Sequence, residues 1–330
     1  MQEQDELTPA LPAQDGLTLR AHLYFERHLS VTLDDLLKPV EPLNPAGHSA
    51  KSSGVYHAIQ GARREDDASL PQGPWQHELK RADWVAVSAN ALDTLRRKSK
   101  DLQVAAWLLE AQIHQGGFGG IAPCLVLIDA LMLGYWDDLY PKRTGSDTTH
   151  RANVLRWINR KLLPLVRQVP ITAAGQASDF TWADREGAQR HDAAPRGSEQ
   201  GSQGGSGAPA QQTRAQALAT AMTQTPAVRF QQMRTELQDA LAAVARMTQT
   251  IDACFESDAP SLSAFSGLLA QILLGVESEL HRRGLLAEVA PPAMPAALPA
   301  LARDAPPVPV AVAVGAGDRA QAYALLEQAV

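Results

Sequence analysis

Residues 99–141 read SKDLQVAAWLLEAQIHQGGFGGIAPCLVLIDALMLGYWDDLYP, and this stretch decides the fold class. From Lys100 to His114, Leu102, Ala105, Ala106, Leu109 and Ile113 recur at helical spacing, with Trp107 nearby. Gly116 and Gly117 end that helix, because glycine readily takes the backbone conformation needed just past a helix C-terminus. Ile121 to Asp138 then predicts a helix that is apolar on nearly all sides, which belongs in a protein interior. Its most apolar part, Ile121 to Tyr135, is too short to span a bilayer and carries Asp129 in its middle. No alternating strand pattern interrupts the region.

Helical text continues in both directions. Upstream, Asp83 can cap a helix carrying Trp84, Val87, Ala91, Leu92 and Leu95, which ends near Arg97 and Lys98, where cations suit the unpaired carbonyls. VTLDDLLKPV, from Val31, predicts a short helix stopped by Pro39, and EPLNPAG a turn. Residues 1–30 read as a polar leader with one apolar patch at Leu23, Tyr24 and Phe25. Downstream, Asn153 to Val166 gives a further helix with Leu155, Trp157, Ile158, Leu162 and Leu163. Connections this short favour antiparallel neighbours. All six tryptophans fall between Trp75 and Trp182, so the large aromatic burial is concentrated there and a helical bundle domain is expected over residues 31–190.

Residues 191–212 are rich in Gly, Ser and Gln, the composition of a flexible linker. Beyond them Phe230, Met233, Leu237, Ala240, Val244, Met247, Ile251 and Cys254 follow a heptad spacing. Pro260 interrupts the pattern, and Leu262, Phe265, Leu269, Ile272 and Val276 resume it, which predicts a helical-hairpin middle domain at 213–286. Leu241, Leu268 and Leu273 widen its apolar stripe beyond what one hairpin covers. Phe230, Met233, Leu237, Leu241, Val244, Met247, Ile251 and Leu268 are therefore the candidate self-association surface, with docking on the first domain as the alternative. Residues 287–316, rich in Pro and Ala, read as a second, semi-rigid linker. Residues 317–330 begin another helix and are expected to be the start of a C-terminal domain that is cut short. The expected fold is all-α, two helical domains joined by flexible linkers.

The 330 residues carry 30 basic and 36 acidic side chains, a formal charge of −6 with no long basic run, which disfavours non-specific nucleic-acid binding. Cys124 and Cys254, without a CxxC, indicate neither a disulfide framework nor a zinc site and fit a reducing compartment. The acidic opening MQEQDELTPA lacks the charge and apolar region of a signal peptide, so a cytoplasmic protein without membrane insertion is expected.

No residues suggest catalysis. HQGGFGG, His114 to Gly120, lacks the GxxxxGK[ST] pattern that holds phosphates and reads as a helix–helix turn. No HExxH or GxSxG occurs, and no cofactor or metal is expected. Asp137 and Asp138, with Glu65, Asp66 and Asp67, lack calcium-loop spacing and read as solvated caps and turns. Lys80, Arg81, Arg96, Arg97, Lys98 and Lys100 form a basic patch that could meet an acidic partner, although a solvated helix face is the plainer reading. An enzyme with a helical-bundle site would need convergent titratable groups in a pocket.

Short motifs punctuate the first half in a fixed order. They are Asn44-Pro45-Ala46-Gly47, Ala62-Arg63-Arg64-Glu65-Asp66-Asp67, Leu79-Lys80-Arg81-Ala82-Asp83-Trp84, Ser99-Lys100-Asp101-Leu102, Ala106-Trp107-Leu108, Gly117-Phe118 with Gly120, and Tyr135-Trp136-Asp137 with Tyr140-Pro141. Together, over about residues 31–170, they resemble the ImpA-type N-terminal domain of TssA proteins of bacterial type VI secretion systems. The sequence departs from that pattern after Gly47, where His48-Ser49-Ala50 replaces the usual acidic continuation. The terminal Arg319 to Leu326 resembles the start of a ring-forming C-terminal domain found in one class of these proteins. The resemblance implies a non-enzymatic, homo-oligomeric assembly component that primes or caps tail tube and sheath polymerisation at a baseplate. Its implied partners are the baseplate, tail tube, sheath and membrane complex; a cytoplasmic helical adaptor unrelated to secretion is the rival reading.

Overall fold

In the computed structural model, residues 15–66, 79–175, 179–193, 207–255 and 258–286 are described, with backbone alone for 191–193 and 207–213. The architecture grows from two helices, α5 (Leu102–Gly116) and α6 (Ile121–Tyr135), folded back on each other across a 3-10 turn at Gly117–Gly120. Asp101 starts α5 by accepting hydrogen bonds from the Gln103 and Val104 amides at 2.9 and 3.2 Å. The turn needs its glycines: a Cβ on Gly120 would lie 2.5 Å from the Gln112 carbonyl oxygen. HQGGFGG is thus the helix–helix turn its sequence predicts. By length and composition Leu102–Tyr135 could cross a membrane, but 78% of its most apolar window is buried inside the protein.

Every residue of α6 from Ile121 to Met132 is buried. Covering it requires neighbours all round, supplied by α1 (Gly16–Leu29), α2 (Leu33–Leu37), α5 and α11 (Ala227–Cys254). Asp129, 1% exposed, fixes how α11 lies on α6. It accepts from Arg246 Nε at 2.6 Å and from Thr250 Oγ1 at 2.5 Å, and Arg246 Nη1 donates to Thr18 Oγ1 of α1 at 2.9 Å. The carboxylate that argued against a membrane span therefore ties three helices together. Around these helices lie α3 (Val55–Arg63) and α4 (Trp84–Arg97), which pack on each other, and α7 (Thr149–Lys161), α8 (Leu163–Arg167), α9 (Trp182–Ala193), α10 (Gly207–Gln224) and α12 (Ser263–Arg282), each adding residues to the same core. Among the described residues there is no β-strand, only isolated bridges.

Three expectations need correction. Residues 16–29, read as polar leader, are α1, capped by Asp15 accepting from the Thr18 amide at 2.7 Å. Leu17, Ala21 and Phe25, four apart, are buried against α6, and Arg20 grips Asp239 of α11 through two bonds of 2.6 Å. Second, no domain boundary separates the bundle from the hairpin: the described residues from 15 to 286 fall in one compact unit, and both parts share one core. Third, Phe230, Met233, Leu237, Val244, Met247, Ile251 and Leu268 are buried inside that unit, with Leu241 partly buried, so the seam is internal and closed to a second copy. The physical reason is that α6 demanded cover and α11 supplied it.

The expected 191–212 linker begins inside α9 and ends inside α10, with 194–206 outside the described residues, as are the second linker at 287–316, the segment 317–330 and Trp75. The helix expected from Asn153 to Val166 is broken at Leu162 into α7 and α8, just before Pro164. Trp107 and Trp182 are buried, while Trp84, Trp136 and Trp157 are half-buried.

Replacing Asp129 with Ala leaves the Arg246 guanidinium without its buried partner and should lower stability by about 3–5 kcal/mol. Urea unfolding of the two proteins measures this, and a loss below about 1 kcal/mol would show that the pair does not hold α11 on α6.

Candidate functional site

Three motif segments far apart in the chain meet at one junction. Asn44 Nδ2 donates to the Gly47 carbonyl at 2.7 Å and the Gly47 amide to the Asn44 carbonyl at 2.8 Å, closing a turn in which Pro45 accepts from the Val40 amide. The turn then pairs with the end of α4: the His48 amide donates to the Lys98 carbonyl at 2.9 Å, and the Lys100 amide to the Ala46 carbonyl at 2.8 Å. Gly47 faces Ser99 across this bridge with φ +71°, and a Cβ there would fall 2.2 Å from the Lys98 oxygen. On the other side the Tyr140 amide donates to the Lys100 carbonyl, and the Leu102 amide to the Tyr140 carbonyl.

Two fully buried cations hold the loops around this junction. Lys100 Nζ donates to the carbonyls of Leu36 and Leu95 at 2.7 and 2.8 Å, in the last turns of α2 and α4, and stands over the Tyr135 ring. Burial draws its pKa down to about 8. Lys100 therefore drops out of the expected basic patch, whose other members are exposed. Arg151 of α7 donates to the carbonyls of Pro141, Trp136 and Leu139 at 2.9, 2.5 and 2.5 Å and lies over the Trp136 ring. Burial lowers its pKa to about 10, which leaves it charged at neutral pH. Sequence reasoning missed Arg151, although it shares the apolar face of Leu155 and Ile158 at helical spacing.

Asp101 follows Lys100 in the chain and is itself buried. Burial pushes its carboxyl up to about 6, opposed by hydrogen bonds from Tyr56 and the α5 amides. The remaining motif residues stand apart from the junction. Arg63 pairs with Glu110 at 2.5 and 2.9 Å and lies over the rings of Trp107 and Trp157. Asp83 caps α4, Trp84 stacks on His114 with ring centroids 3.8 Å apart, Gly117 ends α5, and exposed Asp137 pairs with Arg143.

Beside the junction a cleft of about 630 Å³ opens between α3, the start of α5 and α7. Its rings are Tyr56, Trp107, Tyr140 and Trp157; Gln60, Gln103 and Asn153 add side-chain amides, His150 an imidazole, and Lys51 and Lys142 add cations, the latter paired with Asp138 at 2.9 Å. Asp101 also lines it, but its oxygens are occupied by Tyr56 and the helix cap. The arrangement offers shape, rings and donors rather than a nucleophile beside a base. Among the described residues no group of three His, Cys, Asp or Glu could hold a metal ion.

Residues 37–160 match the family described as ImpA, N-terminal, type VI secretion system. Over 146 residues the chain is 32% identical to the type VI secretion system component TssA1 of Pseudomonas aeruginosa, covering 41% of this chain and 40% of that protein, so the match spans less than half of its length. The solved N-terminal domain of the TssA component from Burkholderia cenocepacia, which includes the conserved ImpA_N region, superposes with a TM-score of 0.63 at 23% identity. That superposition covers 77% of this chain and 96% of the solved one, so the shared fold is wider than the family match.

Two tests address the junction. Gly47→Ala should cost at least about 1–3 kcal/mol from the left-handed backbone alone, with the Lys98 contact adding to it, and thermal unfolding reads the loss. Lys100 loses its proton near pH 8 when folded but at its ordinary 10.5 when unfolded, so between these values the unfolded chain holds more protons. The stability of the protein relative to Lys100→Met should therefore rise as pH climbs from 8 toward 10. A difference that stays flat across that window in urea titrations would mean that the amine is not desolvated.

Proposed function

We propose that this chain, whose residues 37–160 match the ImpA N-terminal family of type VI secretion, is a non-enzymatic assembly component of that system, acting at the baseplate to prime or cap tail tube and sheath polymerisation. The single observation that carries this is the family match, together with the ordered motifs that converge on one junction. The junction supports an architectural role, since its buried charges are consumed by backbone carbonyls and amides, leaving the surface to recognise partners. Its partners on this reading are baseplate, tube, sheath and membrane-complex proteins met in the cytoplasm, in a homo-oligomeric assembly. Because the α11 seam is internal, self-association falls to other surfaces.

The test is affinity capture of the tagged full chain from cells that carry the secretion genes, with quantitative mass spectrometry. Baseplate, tube or sheath proteins should be enriched over an untagged control. Enrichment confined to proteins unrelated to secretion would favour the adaptor reading and overturn the proposal.

A further inference from the structure

We propose that the cleft beside the motif junction is a docking groove for an extended acidic peptide segment with an apolar anchor residue, contributed by a partner protein. The proposal deepens the assembly reading by naming the partner's chemistry, and rests on it only in taking the partner to be a protein.

Charge argues for the acidic occupant. The protein as a whole carries −6, yet α3 and α7, which flank the cleft, contain no carboxylate. On α7, His150, Asn153 and Trp157 follow one face, and exposed Arg160 and Lys161 extend it by a further turn. Lys51, Arg160 and Lys161 form no ion pair among the described residues, and the lone lining carboxylate, Asp101, is bound inward. This positive ground on a negative protein selects acidic segments and speeds their arrival.

The walls argue for a peptide. Tyr56 meets Trp107 edge-on, with centroids 4.7 Å apart, and half-buried Trp157 lines the same cleft; the Arg63 guanidinium lies over the Trp107 and Trp157 rings, so an apolar anchor would pack on the part of this aromatic wall that Arg63 leaves open. Gln60 and Gln103, with no hydrogen bond from their side chains among the described residues, can meet the carbonyls and amides of an extended backbone. Trp107 is only 4% exposed, so it is a recess wall and not the open stacking platform that a nucleic-acid base needs.

The test pans the immobilised full chain against phage-displayed random peptides, then measures binding of the most enriched one, synthesised and labelled, by fluorescence anisotropy. Enriched peptides should carry a net excess of Asp and Glu around a Trp, Leu or Pro. Lys51→Glu with Lys142→Glu should weaken binding roughly tenfold or more, as should high salt, while Arg27→Glu with Lys38→Glu, outside the cleft, should leave it within about twofold. Both pairs replace exposed side chains, and circular dichroism confirms that they fold. Neutral or basic winners, no enrichment, or acidic peptides indifferent to the Lys51 and Lys142 changes would each overturn the proposal. So would an oligothymidine that binds with the same sensitivity where peptides do not. Should peptide selection fail while affinity capture still recovers secretion proteins, the groove is refuted and the assembly reading stands.

Discussion

A helix that is apolar on every side stays out of water only if neighbours close round it, and α6 imposes that condition on the whole molecule. The cost of leaving it half-covered would be large, since each exposed Leu or Ile forfeits roughly 1.5–3 kcal/mol. Helices from both ends of the described chain therefore converge on it, α1 from the start and α11 from near the finish. The internal charge of Asp129 converts a greasy contact into a specific one, because Arg246 and Thr250 reach it in one register of α11.

Around this core, loops take their shape from cations that bind backbone oxygens. Lys100 gathers the ends of α2 and α4, and Arg151 gathers the carbonyls after α6. Without a sheet to pair them, these oxygens would be buried and unsatisfied. The motif residues nearest them, Gly47, Ser99, Asp101 and Pro141, are thus tied to backbone geometry first and to surface chemistry second. The cleft borders that geometry: Asp101, Tyr140 and Pro141 of the junction segments line it beside Tyr56, Trp107 and Trp157.

The all-α class, α4, α5, the glycine turn and α6 were legible because each depends on local periodicity and caps. So was the α11 to α12 hairpin as a pair of helices. Its docking was not, since a heptad seam specifies that something packs on it and not what. α1 escaped because its buried positions Leu17, Ala21 and Phe25 are sparse among charged neighbours, and Leu19, equally apolar, faces water. Lys100 read as part of a basic surface because a sequence does not reveal that a lysine ends among carbonyls. The junction's motifs were visible as text, but their convergence depends on hydrogen bonds between residues far apart in the chain, which no local pattern encodes.

The bond between Asp129 and Arg246 joins residues 117 positions apart. During synthesis at roughly 5–20 residues per second, the partner of Asp129 is made on the order of ten seconds after α6 itself. For that interval α6 has only the helices before it for cover, and the face that α11 will occupy stays open at the ribosome. Early emergence of α1 and α5 shortens the exposed surface but cannot close it. Until α11 is made, the most apolar helix of the protein keeps one face incompletely clothed, so the order of synthesis and the order of packing differ.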